Sequence, residues 1–359
     1  MVSKRILVAA LDWGMGHTTR CIPIVAHLAA KGHHVIFAGN EAQRLLMRAA
    51  CPGVDEAALP GYGVSYSRRA LMAGLVAQLP KIALAIRAER HWLRELVKQE
   101  APIHGVISDN RYGLYHPDVP CVILTHQLNI RSGMGRLADA AVRARHDRML
   151  ARFAETWIVD DVDINLAGNL SRRESMPQNA RHIGLLSQCA TSSSSLPTPA
   201  AKHILILLSG PEPQRTILSG LLWEQALRLT EPVVFVEGNR SVSRSAPPHI
   251  RHIPIAARSD VPALIASARL VVCRSGYSTL MDLAALNAPA ILIPTPGQTE
   301  QEYLAGHAQR KNWVISAQQK AFSLRGMLDA AAGSSFRPMA APEAFLQYRD
   351  VLDEWAAAL

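Results

Sequence analysis

The stretch from Val271 to Gln301, VVCRSGYSTLMDLAALNAPAILIPTPGQTEQ, reads as a buried strand, a tight Ser-Gly turn, a helix and a second buried strand. Short apolar runs such as Val271-Val272-Cys273 and Pro289-Ala-Ile-Leu-Ile-Pro294 need cover on both faces, which parallel strands joined by a helical crossover provide. Ser275 and Gly276 put backbone N–H groups where the helix begins, an arrangement that attracts phosphate. Asp282 falls about two turns into that helix, where a carboxylate can accept from ribose hydroxyls, and Gln298, Gln301 and Glu302 follow the second strand. The segment is half of a nucleotide-binding sheet.

The beginning of the chain repeats the plan. Arg5 to Leu11 is an apolar strand, Asp12-Trp-Gly-Met-Gly-His17 a glycine turn, and Thr18 to Leu28 a helix. The turn carries Gly14 and Gly16, but Thr18 and Thr19 follow His17 where a dinucleotide fingerprint has its third glycine, which argues against an NAD site. An imidazole at the tip of such a turn lies where parallel-sheet folds place their chemistry.

Further strands are expected at 33–39, 104–109, 121–126 and 156–160, with helices over 41–50 and 136–153. A Ser/Pro stretch, 191–199, breaks the periodicity as a linker does. A new strand at 203–209, a loop containing Gly210 and Arg215, and strands at 233–237 and 250–255 lead to Asp260, placed to cap a short helix before Val271. The expected division is residues 1–185, 186–340 and a C-terminal helix, 341–359, with a stripe of Phe345, Val351 and Trp355 that packs back across the domains.

A length of 359 residues suits two α/β domains. The net charge of +9 implies an acidic partner, but the basic residues are dispersed and no nucleic-acid motif is present, so nucleotide phosphates or an anionic membrane rank above nucleic acid. Cys21, Cys51, Cys121, Cys189 and Cys273 are widely spaced, as reduced cytosolic thiols are. No apolar run reaches the roughly 18 residues of a spanning helix, and strand one follows the N-terminus with no room for a signal peptide. Asp161-Val-Asp163 has the letters of a metal-binding pair but lies away from any nucleotide loop, and no metal site is expected.

The Gly-x-Gly-His turn, Arg274-Ser-Gly-Tyr-Ser-Thr-Leu-Met-Asp282, Pro289–Pro294 and Gln298-Thr-Glu-Gln-Glu302 together resemble MurG-like glycosyltransferases of the GT-B fold. The resemblance spans most of the chain and is strongest in the C-terminal half. It implies an α/β architecture of two Rossmann-like, doubly wound parallel-sheet domains facing a cleft. The N-terminal domain would bind the acceptor and the C-terminal domain a UDP-sugar, with inverting, metal-independent transfer and no cofactor beyond the nucleotide-sugar co-substrate. Ser275, Gly276, Asp282, Gln301 and Glu302 would then face the donor, with Asp282 standing where the family has a ribose-binding glutamate. Two departures bear on the donor: Ser209-Gly-Pro-Glu-Pro-Gln replaces a Gly-Gly-Ser turn, and Glu302 replaces one of two paired glutamines.

An inverting transfer needs a base for the acceptor hydroxyl and a cation or dipole for the leaving diphosphate. His17 is the candidate base, with Asp109 behind its ring to fix the tautomer and His126 as the alternative base. The helix start after Gly276 and Arg274 or Arg215 would receive the phosphate charge. The plainer readings are that His17 caps a helix, Asp109 ends a strand and Asp282 is a solvated helix residue. His33, His34 and His104, at strand starts, are read as structural.

Residues 60–98 alternate basic side chains (Arg68, Arg69, Lys81, Arg87, Arg90, Arg94, Lys98) with apolar ones. They read either as crossover helices with a wet basic face or as a surface touching an anionic bilayer, in a cytoplasmic protein peripheral to the inner face of the membrane. The acceptor expected with this reading is a lipid or cell-envelope glycan. The rival functions are a nucleotide-sugar hydrolase or epimerase, with Glu212 and Glu302 as its carboxylate pair, and a non-catalytic nucleotide-sugar-binding protein.

Overall fold

The computed structural model describes residues 2–63, 78–99, 101–130, 135–190 and 203–359. The expected linker at 191–199 and the residues 64–77 of the basic segment lie outside this set. The chain divides into two compact units, one comprising Met1–Ser65, Met72–Gln188 and Pro342–Leu359, the other mainly Cys189–Ala341.

In the first unit β1 (Arg5–Ala10), β2 (His34–Gly39), β3 (Asp55–Ala58), β4 (Gly105–Asp109), β5 (Cys121–Thr125), β6 (Glu155–Ile158) and β7 (Ala180–His182) form one sheet in the order β3-β2-β1-β4-β5-β6-β7. Every pairing is parallel. The four innermost strands are uninterrupted buried runs, because helices cover both faces: α1 (Met15–Ala30), α2 (Glu41–Ala50), α3 (Leu79–Val97) and α4 (Arg136–Leu150). Leu7, Val106, Ile123 and Ile158 pack with Leu93, Leu150 and Phe153 on one side of this sheet. Asn40 starts α2 with a reciprocal capping box to Gln43, which fixes the crossover from β2.

The second unit repeats the design with β8 (His203–Leu207), β9 (Val233–Val236), β10 (Ile250–Ile253), β11 (Ala268–Cys273), β12 (Ala290–Leu292) and β13 (Ile315–Ser316), ordered β10-β9-β8-β11-β12-β13 and again all parallel. Its helices are α5 (Gln214–Ala226), α6 (Val261–Ala266), α7 (Tyr277–Ala285), α8 (Thr299–Arg310) and α9 (Leu324–Ala332). Asp260 stands at the start of α6 but makes no side-chain cap there.

The C-terminal segment is a short 3-10 turn at Pro342–Phe345 followed by α10 (Gln347–Ala358). It belongs to the first unit. Trp355 meets Trp157 edge-on with ring centroids 5.5 Å apart, and Asp353 binds His27 at 2.7 Å. A side chain at Gly105 would collide with Trp355, so the glycine at the start of β4 admits this helix.

In each sheet the chain winds one way from the first strand and the other way from the fourth. The loops leaving β1 and β4, and those leaving β8 and β11, therefore open a crevice at the carboxyl ends of the strands, where ligands bind in folds of this type.

Candidate active site

The first-unit crevice is built around the turn that ends β1. Gly14 has φ of 100°, a conformation that disfavours any residue with a Cβ, and it lets the chain reverse straight into α1. The backbone N–H of Leu11 donates to Asp109 O at 3.0 Å, tying the turn to the end of β4. Gln43 Nε2 donates to the carbonyls of Ala10 and Leu11 and to Thr18 Oγ1, and Arg111 Nε donates to Ala10 O at 2.7 Å. Arg111 is in turn paired with buried Glu89, which also accepts from the Tyr62 hydroxyl at 2.9 Å. The turn is thus held from three sides, which fixes the residue at its helical end, His17.

His17 Nδ1 lies 3.1 Å from Asp109 Oδ2, and its side chain keeps 19% of its surface exposed while Asp109 has none. Arg20, one turn further along α1, is also buried. Its Nε donates to Asp109 Oδ2 at 2.8 Å, one terminal nitrogen binds Oδ1, and the other lies 3.2 Å from His126 Nδ1. Burial alone would raise the Asp109 carboxyl, but the charges and hydrogen bonds of Arg20 and His17 together hold it well below the usual carboxylate range. An ionised Asp109 can accept Nδ1–H from His17 and leave Nε2, on the exposed side of the ring, able to take a proton. His17, Asp109 and His126 are therefore brought together, and the residue that joins them is Arg20. Sequence reasoning passed over Arg20 as one more dispersed basic residue, although its i,i+3 spacing from His17 places both on one helical face.

Gly14 and Gly16 frame His17 in this unit. The remaining donor-side candidates all lie in the second unit, around the ends of β8, β11 and β12. Ser275 is buried and donates to Gln301 O at 2.8 Å; Gln301 Oε1 accepts from Thr295 N at 2.9 Å, and Glu302 Oε1 from Gly297 N at 2.9 Å. These bonds fasten the loop after β12 to the start of α7. Gly276 is the N-cap of α7, with no side-chain cap and no acidic residue in the first turn, and Gln298 is the N-cap of α8. Gly210 has φ of 100° with open space around its Cβ position.

The two arginines expected to face phosphate are otherwise engaged. Arg274 points inward, donating to the carbonyls of Ile293, Pro294 and Gln214 at 3.0 to 3.1 Å, and burial lowers its guanidinium to about 10. It holds three loop ends in register. Arg215 donates to Glu212 Oε1 at 2.6 Å and to Gly238 O at 2.6 Å. Glu212 also accepts from the backbone N–H and hydroxyl of Thr216, so its carboxylate occupies the first turn of α5. Glu212 and Glu302 are each committed to such local bonds. Asp282, on α7, is close enough to Arg258 for its charge to oppose the lowering that burial imposes on that guanidinium. Arg258 sits in the turn before α6, and nothing in its local sequence marks it.

Asp161 and Asp163 form a local turn: Asp161 Oδ1 accepts from the backbone N–H groups of Asp163 and Ile164, both at 2.8 Å. His33 and His104 accept from backbone N–H groups through Nδ1 at the opposite, amino end of the sheet.

Residues 236–332 match the glycosyltransferase family 28 C-terminal domain. Over 99% of its length the chain is 28% identical to the UDP-N-acetylglucosamine–N-acetylmuramyl-(pentapeptide) pyrophosphoryl-undecaprenol N-acetylglucosamine transferase of Acidiphilium cryptum, covering 94% of that protein. In fold it is similar to the calicheamicin glycosyltransferase CalG4, with a TM-score of 0.65 at 16% identity, covering 99% of this chain and 98% of that one. Acinetobacter baumannii MurG superposes with a TM-score of 0.56 at 14% identity, covering 99% of this chain and all of MurG (100%). Two parallel sheets of one winding order, a match to the family 28 C-terminal domain within the second unit and a likeness to MurG along nearly the whole sequence make this a chain of the GT-B fold that is similar to MurG.

Proposed function

We propose that the chain is an inverting glycosyltransferase that moves a sugar from a nucleoside-diphosphate sugar, UDP-linked, to a hydroxyl of a lipid-linked or cell-envelope glycan acceptor. One observation carries this reading: a partly exposed imidazole backed by a fully buried, ionised carboxylate at the β1–β4 switch point. In the proposed step His17 Nε2 removes the acceptor proton as the acceptor oxygen forms its bond to the anomeric carbon. The bond from that carbon to the diphosphate oxygen breaks, and its electron pair leaves with the nucleotide. The start of α7, with its helix dipole and no acidic residue in its first turn, receives the diphosphate charge in place of a metal ion. Asp282 accepts from the ribose, while Gln298, Gln301 and Glu302 face the sugar.

Family 28 membership of the second unit supports the donor assignment, and the lipid-linked acceptor named for the Acidiphilium relative supports the acceptor class. A peripheral position on the inner membrane face accords with exposed Leu79 (55%) and Leu84 (62%) on α3, which also carries the exposed basic residues Arg87 and Arg94 and ends at Lys98. Among the described residues no helix is long and apolar enough to cross a membrane.

The test is binding of UDP, GDP, TDP and their sugar conjugates, first with chelator and then with magnesium, by calorimetry. A metal-independent preference for UDP is expected, followed by nucleotide release when lipid-linked glycan acceptors are added. Failure of every nucleotide to bind would remove the proposal. Sedimentation with anionic and neutral vesicles tests the membrane contact, which is expected only with the anionic ones.

A further inference from the structure

We infer that Arg20 and Asn110 act together as positioning residues that assign the protons of the two histidines, placing one on Nδ1 of His17 and one on Nε2 of His126. The inference rests on the reading of His17 as base, and it turns His126 from an alternative base into a hydrogen-bond donor.

A guanidinium has five N–H groups and no acceptor, so each of its neighbours is forced into an accepting role. Arg20 Nε uses its hydrogen on Asp109 Oδ2. One terminal nitrogen, 3.2 Å from His126 Nδ1, can only donate there, so His126 Nδ1 bears a lone pair and the proton of the neutral ring sits on Nε2, where the Gln127 side-chain amide 3.5 Å away must then turn its oxygen to accept. The other terminal nitrogen has two hydrogens and three neighbours: Asp109 Oδ1, His17 Nδ1 at 2.9 Å, and the side-chain amide of Asn110.

Asn110 decides the competition. With its amide oxygen turned toward Arg20, that oxygen accepts at 2.9 Å, and the amide nitrogen donates to Leu124 O at 3.3 Å and Thr125 Oγ1 at 3.2 Å; the opposite orientation sets oxygen against acceptors and nitrogen against donors. Both hydrogens of the arginine nitrogen are then committed, one to Asp109 and one to Asn110. None is left for His17 Nδ1, which keeps its own hydrogen and donates it to Asp109 Oδ2. Asn110 holds this place with φ of 53°, a left-handed conformation that asparagine tolerates better than most residues and that clusters at functional sites. The groups facing His17 are thus Arg20 from α1 and Asp109 from β4, and around those two stand Cys21 on α1, Asn110 after β4, His126 at the end of β5 and, further off, Tyr112. Without Asn110, the freed arginine hydrogen could be donated to His17 Nδ1, which would put the ring's proton on Nε2 and leave no lone pair there for the acceptor hydroxyl.

The test is long-range 1H–15N NMR of the full chain labelled with 15N-histidine, with His17→Gln and His126→Gln spectra to assign the two rings. Above the titration of both rings, His17 is expected to show the Nδ1–H pattern and His126 the Nε2–H pattern. Asn110→Gly accepts the positive φ without strain and frees one arginine hydrogen, so His17 should shift toward Nε2–H while His126 stays unchanged. In transfer assays the same variant should lose at least tenfold in kcat/KM through kcat, with donor KM unmoved. Arg20→Lys, which keeps the charge but not the fork, should leave His126 a mixture of tautomers. A wild-type spectrum with Nδ1–H on His126, or a His17 pattern indifferent to Asn110→Gly, overturns the inference whatever the activity. The inferred tautomers combined with a fully active His17→Ala variant would retain the positioning pair and remove the base.

Discussion

Replacing Asp109 with asparagine tests the electrostatics of the first-unit site most directly. The carboxylate is fully buried and accepts from three nitrogen donors, His17 Nδ1 and two nitrogens of Arg20, with the Cys21 thiol 3.8 Å away. An asparagine of the same shape offers one oxygen and turns an NH2 group toward the rest, and the Arg20 side chain, only 1% exposed, loses its counter-charge. Breaking a buried pair in this way costs about 3–5 kcal/mol, a large share of the roughly 5–15 kcal/mol that keeps a domain folded. The loss should depend on pH in a defined sense. Because the folded Asp109 carboxyl lies below its unfolded value, its contribution is complete above an unfolded pKa of about 3.9 and disappears as pH falls toward the depressed folded value. Urea unfolding followed by tryptophan fluorescence should therefore show Asp109→Asn less stable by about 3–5 kcal/mol at pH 7, with the gap to wild type closing at progressively lower pH. A loss under about 1 kcal/mol at pH 7, in the range of an exposed pair, or a gap that widens in acid, would refute the assignment of Asp109 as the buried anion of this site.

Three further outcomes are expected. His17→Ala should lower transfer by about 100-fold to 10,000-fold, the usual worth of a general base, while calorimetric nucleotide affinity stays within error; full turnover would remove His17 from the mechanism. Asp282→Ala should weaken nucleotide binding by about 1.5–3 kcal/mol, the value of hydrogen bonds to a charged group, and an unchanged Kd would show that the ribose lies elsewhere. Arg274→Met leaves three loop carbonyls without their donor. Its thermal unfolding should move down by several degrees, from a loss of about 2–4 kcal/mol, and an unaltered Tm would mean that water replaces the guanidinium without cost.

Most of the architecture was legible because parallel strands buried on both faces leave uninterrupted apolar runs, such as Ile6–Ala10 and Val271–Cys273, that no other element of this length imitates. The turn at Gly14 and the placement of His17 followed from glycine spacing. Arg20 and Asn110 escaped notice for a different reason: their roles depend on β1, β4 and β5 lying side by side, and nothing within a few residues of either announces that neighbourhood. The carbonyls that Arg274 binds were hidden by the same limitation. A basic residue beside a phosphate-type turn invites a phosphate role, whereas the ends of β11 and β12 and the start of α5 supply carbonyls that draw its guanidinium inward. The sequence pattern at the start of α6 suggested an Asp260 cap, but the short 3-10 turn before it leaves that side chain without the bond.

The seat of α10 on the first unit has a consequence for how the protein is made. Cys189–Ala341 is contiguous in sequence and can assemble its sheet as it leaves the ribosome, whereas the earlier-made sheet of β1–β7 waits for a helix translated after all of it. Until then Trp157 lacks its partner Trp355 and the space above Gly105 stands open to water. The half that is synthesised first is completed last, and during that interval the apolar flank that α10 covers is exposed.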